Sequence, residues 1–139
     1  MMFAATIRLI LFLTLLSGDA ELPTQAAARV VNMTADRNST FRLQGSNSSQ
    51  LDLISGESIL LHVEARKAKS MNRDGSVHGL ALLDGHRNLV PGWELLFKPG
   101  VQEVQLRAPA EPGIYEAVCT VICSTDHEHM KFRLVVRPK

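Results

Sequence analysis

The sequence predicts an all-β fold, a β-sandwich. Three observations carry that expectation: apolar residues recur with a period of two in several short stretches, turn-forming residues separate those stretches, and no stretch shows a convincing helical period.

At 139 residues the chain has room for one domain with a proper core once a targeting segment is set aside. The formal net charge is +1, with acidic and basic residues interspersed, so neither nucleic acid nor an anionic membrane is expected as a partner. Residues 1–20 read as a secretory signal. Arg8 precedes the apolar run Leu9 to Leu16, and the small residues Gly18 and Ala20 follow, with cleavage expected after Ala20. That run falls short of the roughly 20 residues a membrane span requires, an uncleaved anchor starting at Phe3 being the lesser alternative, and no later segment could span either. Residues 21–28 form a short unstructured lead, and residues 29–139 are the expected domain. The polar stretch Gly45 to Gln50 reads as a loop. Sequons begin at Asn32, Asn38 and Asn47, and they would carry glycans only in a eukaryotic chain.

From Ser58 onward the period is two: Ile59, Leu61, Val63 and Ala65 alternate with Leu60, His62, Glu64 and Arg66, which places His62 on the wet face. A second alternation sets Val104, Leu106 and Ala108 against Glu103, Gln105 and Arg107. The turn Ala110-Glu111-Pro112-Gly113 then leads into Ile114 to Cys119. The last strand carries Met130, Phe132, Leu134 and Val136 on one face, with His129, Lys131, Arg133 and Arg137 on the other.

The chemistry lies between the last two strands, in Cys119-Thr120-Val121-Ile122-Cys123-Ser124-Thr125-Asp126-His127-Glu128-His129-Met130. Thiolate and thioether are soft ligands and imidazole is intermediate, so this mixture suits copper better than magnesium, calcium or a structural zinc. Strand parity turns Met130 inward and His129 outward, which favours His127 over His129 as a ligand. A second imidazole must come from elsewhere. His78, in Val77-His78-Gly79, stands at the start of an apolar run, and His86 follows close behind.

The pattern Cys-x3-Cys-x3-His-x2-Met follows a Pro-Gly-x-Tyr turn at Pro112, Gly113 and Tyr115, with Val-His-Gly upstream. It resembles the copper loop of the CuA-type cupredoxin domain found in cytochrome c oxidase subunit II and in nitrous oxide reductase. The resemblance is sharp from about Pro112 to Met130 and loose elsewhere. It implies a cupredoxin-like Greek-key β-sandwich holding two copper ions. Cys119 and Cys123 would bridge them, His78 and His127 would each bind one, and Met130 would be a weak ligand. The backbone carbonyl at Val121 would be a second weak ligand. Val121 stands where the family often has Glu, which leaves the carbonyl but removes the carboxylate, and Ser124 replaces a residue that is often Gly.

The function so implied is one-electron transfer without catalysis, in the periplasm, with a redox partner such as a cytochrome or a terminal reductase or oxidase. A free-standing carrier is expected rather than an oxidase subunit. Two alternatives stand beside it: a periplasmic copper chaperone delivering metal to a copper-accepting metalloenzyme, and a metal-free binding module in which Cys119 and Cys123 form a disulfide.

Overall fold

A computed structural model describes residues 26–45 and 49–139. The expected signal and most of the expected lead lie outside the described residues, as does the middle of the loop that begins at Gly45. The described residues form nine strands: β1 (Arg29–Asp36), β2 (Thr40–Leu43), β3 (Gln50–Ile54), β4 (Ser58–Ala65), β5 (His78–Leu83), β6 (Leu89–Phe97), β7 (Gly100–Arg107), β8 (Gly113–Val118) and β9 (Lys131–Arg137). A single 3-10 turn, His127–His129, interrupts them just before β9. Among the described residues no helix is long and apolar enough to cross a membrane.

The strands form two sheets, ordered β2-β1-β4-β7 and β3-β9-β8-β5-β6. The chain passes from one sheet to the other between β2 and β3, β3 and β4, β4 and β5, β6 and β7, and β7 and β8, which is Greek-key wiring. Most neighbours are antiparallel. The exceptions are β1 with β4 and β3 with β9, which run parallel.

The alternation read from the sequence is the alternation of burial. In β4, Ile59, Leu61, Val63 and Ala65 face the core while Leu60, His62 and Glu64 are half-buried. In β9, Phe132, Leu134 and Val136 point inward, and Lys131, Arg133 and Arg137 point out. The two inner faces meet across the sandwich, where Phe41 and Phe132 pack edge to face with ring centroids 5.6 Å apart. Trp93 is buried in the same core and donates its indole N–H to the Arg107 carbonyl at 3.0 Å, so its polar atom is not stranded.

β5 behaves differently. It lies between β6 and β8 and is buried from His78 to Leu82 without alternation, as a central strand covered on both faces must be. Its first residue is His78, so the fold carries an imidazole to the end of a central strand and buries it completely.

Leu134 is fully buried and its neighbour Arg133 is exposed. Leu134→Ala is therefore expected to cost about 2–5 kcal/mol of unfolding free energy, through lost burial and the cavity left behind. Arg133→Ala should stay within about 0.5 kcal/mol. Urea unfolding of the two variants followed by circular dichroism measures both.

Candidate metal centre

Three segments meet at one end of the sandwich: the β8–β9 loop, the long connection from β4 to β5, and the turn between β1 and β2. The neck of the β8–β9 loop is closed by the Cys119 N–H, which donates to the Met130 carbonyl at 3.0 Å and extends the β8–β9 ladder by one step. Beyond the neck, the Cys123 N–H donates to the Val121 carbonyl at 2.8 Å, a tight reversal that brings the second cysteine back beneath the first. The β4–β5 connection clasps this reversal from outside. Ser70 donates its backbone N–H to the Cys123 carbonyl, and its hydroxyl reaches the Ile122 and Cys123 carbonyls at 3.1 and 3.2 Å.

Inside the clasp, a ring nitrogen of His78 and the sulfurs of Cys119 and Cys123 all lie within 4.8 Å of one another. Both cysteines are free and buried. The Met130 sulfur lies 4.0 Å from that of Cys123. The Val121 carbonyl accepts from the Cys119 thiol at 3.3 Å, so its oxygen faces the same space.

The state of His78 follows from its surroundings. Its Nε2 lies 2.9 Å from the Arg66 carbonyl, which can only accept, so Nε2 carries the proton. Burial pushes the pKa of His78 below its ordinary value, against the Arg66 hydrogen bond and the Asp36 charge, and so the ring is neutral at pH 7. The remaining nitrogen, Nδ1, then bears a lone pair. It is buried and has no hydrogen-bond partner, the one such side-chain atom among the described residues. A stranded buried acceptor costs on the order of 1–3 kcal/mol, which an electrophile placed among Nδ1 and the two sulfurs would remove. Burial likewise pushes the Cys119 thiol up, opposed by hydrogen bonding with the backbone of Gly79 and Val121 and reinforced by Cys123.

Two thiols, a neutral imidazole, a thioether and a carbonyl in a dry pocket fit a soft ion such as copper. Of the residues expected from the sequence, the structure brings together His78, Cys119 and Cys123, with Met130 and the Val121 carbonyl against them. It does not bring His127 into that group. His127 sits half-buried on the 3-10 turn, and its Nδ1–H points to the Ser124 carbonyl at 3.1 Å. His129 and His86 are exposed. His62 pairs with Glu103 at 3.1 Å, far along β4.

Three contributors were not anticipated. The Arg66 carbonyl sets the His78 tautomer. Gly79 lets β5 approach the loop, because a Cβ there would collide with the Thr120 hydroxyl and press on Val121 and the Leu95 carbonyl. Ser39, on the β1–β2 turn, places its hydroxyl 3.6 Å from the Cys123 sulfur. All three are reached through space from distant segments, and only the glycine beside His78 left any trace in the sequence.

No protein-family model matches the chain, and no curated protein matches it by sequence. Solved structures do match in three dimensions. Auracyanin A of the green thermophilic photosynthetic bacterium Chloroflexus aurantiacus, a "blue" copper protein, aligns with a TM-score of 0.55 at 15% identity, over 80% of this chain and 100% of its own. Auracyanin B aligns at 0.53 and 22% identity, over 80% and 90%. A chain of a heme-copper terminal oxidase dimer aligns at 0.53 and 15% identity, over 84% of this chain and 69% of its own. What is shared at such identities is the architecture: the chain has the cupredoxin fold.

Proposed function

We propose that the chain is an exported copper protein that carries single electrons through a binuclear, CuA-type centre. The observation that carries the reading is the convergence of two free, buried thiols on the imidazole of His78, whose Nδ1 has no hydrogen-bond partner. A mononuclear blue site needs one cysteine, whereas here a second sulfur lies within the same few ångströms. Copper bound there would supply a reversible one-electron couple spread over two bridging thiolates. Cys119 and Cys123 would be the bridges, and His78 a terminal ligand through Nδ1. Met130 and the Val121 carbonyl, each against a cysteine sulfur, would be weak ligands, and His127 would complete the set by turning from the Ser124 carbonyl. The chain contributes rigidity: Cys119 and Met130 are tied together at the loop neck, and the Arg66 carbonyl holds the imidazole plane. The thiols and the imidazole are buried out of reach of a substrate, so the role proposed is transfer without catalysis.

The heme-copper oxidase and auracyanin likenesses support a redox partner such as a cytochrome or a terminal oxidase. Export rests on residues 1–20, and the mature chain isolated from the extracytoplasmic fraction should begin at Glu21, which intact-mass measurement checks. A second reading, delivery of copper to a metalloenzyme, is favoured by the position of His127: His78, Cys119 and Cys123 alone make a three-ligand site suited to one exchangeable ion.

Copper loading followed by optical and electron paramagnetic resonance spectroscopy, with metal counted on the same sample, decides between them. Two ions per chain sharing one delocalised electron are expected, and one labile, colourless ion would indicate delivery. Cys123→Ser should abolish the delocalised signal, and His129→Ala should leave it intact. A signal that survives Cys123→Ser would sink the bridging assignment.

Loading should also be pH-dependent. Because burial favours the protonated Cys119 thiol, bound copper must displace its proton, and affinity should rise with pH through the neutral and alkaline range. At His78, its pKa lowered, protons should compete with the metal for the imidazole only below its ordinary value of 6.5. Competition against a copper(I) chelator at mildly acidic, neutral and alkaline pH measures the slope; a flat profile would mean that the thiols are not the ligands.

A further inference from the structure

Ser39 is buried to 3% exposure in a turn otherwise made of exposed residues, and its backbone is left-handed, with φ at 59°. For a residue with a Cβ that conformation costs roughly 1–2 kcal/mol, and glycine would adopt it freely. What serine adds over glycine is a hydroxyl. That hydroxyl lies 3.6 Å from the Cys123 sulfur and in hydrogen-bond contact with the Ser124 hydroxyl. The turn is itself held, since the Ser39 N–H donates to the Asp36 carbonyl at 3.2 Å.

Donor bookkeeping gives this group of hydroxyls a direction. The Asp126 N–H donates to the Ser124 oxygen at 3.1 Å, which leaves the Ser124 hydroxyl proton free to point at Ser39. A thiolate can only accept. Once Cys123 is deprotonated, the chain must therefore run from the Asp126 N–H to Ser124, from Ser124 to Ser39, and from Ser39 to the Cys123 sulfur. Aligned hydroxyls polarise one another in a dry setting, so the last donor is stronger than an isolated serine.

We propose that Ser39 is a positioning residue for the metal centre, donating through this relay to the Cys123 thiolate and thereby favouring the reduced form of bound copper. The inference rests on the copper reading above. A hydrogen bond to the sulfur draws off electron density that an oxidised metal needs more than a reduced one, so losing the donor shifts the equilibrium toward oxidation.

The test is a potentiometric titration of the copper-loaded chain with absorption readout of the sulfur-to-copper band, comparing wild type with Ser39→Gly and Ser39→Ala. Both variants should load copper, shift the redox equilibrium constant on the order of tenfold toward the oxidised form, and move the band. Ser39→Gly also relieves the backbone, so it should melt no lower than wild type, and it decides the matter if Ser39→Ala folds poorly. A Ser39→Gly protein that loads copper at an unchanged potential and band position overturns the proposal and leaves the copper reading standing. A wild-type chain that takes up no copper overturns both, and that is seen before any variant is compared.

Discussion

The hydrogen bond from His78 Nε2–H to the Arg66 carbonyl organises the end of the sandwich where the candidate centre lies. It joins the segment leaving β4 to the first residue of β5, it selects the tautomer, and it leaves Nδ1 with a lone pair and no protein partner. Burial keeps the ring neutral, so nothing but an electrophile answers that lone pair. The opposite tautomer would set an unprotonated nitrogen against a carbonyl oxygen and leave no lone pair on Nδ1 for a cation.

Around that imidazole the candidate ligands come from parts of the chain that hydrogen bonds tie to one another. Cys119 and Met130 face each other across the last step of the β8–β9 ladder, and Cys123 is reached by a reversal that Ser70 clasps from the other side. His78 is built into a strand covered on both faces. Such a set would change shape little when charge arrives or leaves, which is the physical basis of the electron-transfer proposal. The one ligand candidate on a short 3-10 turn, His127, is also the one outside the group.

Alternation made β4, β7 and β9 legible, because each turns one face toward the core and the other toward water. β5 gave no such pattern, being covered on both faces, and the parallel partners β1 and β3 depend on pairings that link distant residues and leave no local mark. At the site, parity correctly turned Met130 inward and His129 outward. It could not place His127, since the 3-10 turn breaks the strand period two residues before β9 begins. The cysteines were legible as a spacing. His78 was drawn from the family resemblance, and the Arg66 carbonyl and the Ser39 hydroxyl were not legible at all, the latter lying 84 positions from the sulfur it meets.

The disulfide alternative can be weighed against the same local facts. Joining Cys119 to Cys123 would remove two buried thiols, but it would leave the Nδ1 lone pair of His78 unanswered. It would also give the Ser39 hydroxyl a disulfide sulfur, a poor acceptor, in place of a thiolate. A bound cation answers the imidazole and makes both sulfurs thiolates. It also gives the left-handed serine an anion to donate to. Three separate costs in the structure, a stranded lone pair, a thiol held high by burial and a non-glycine residue at positive φ, have one remedy in common, and that shared remedy favours a metal over a cross-link.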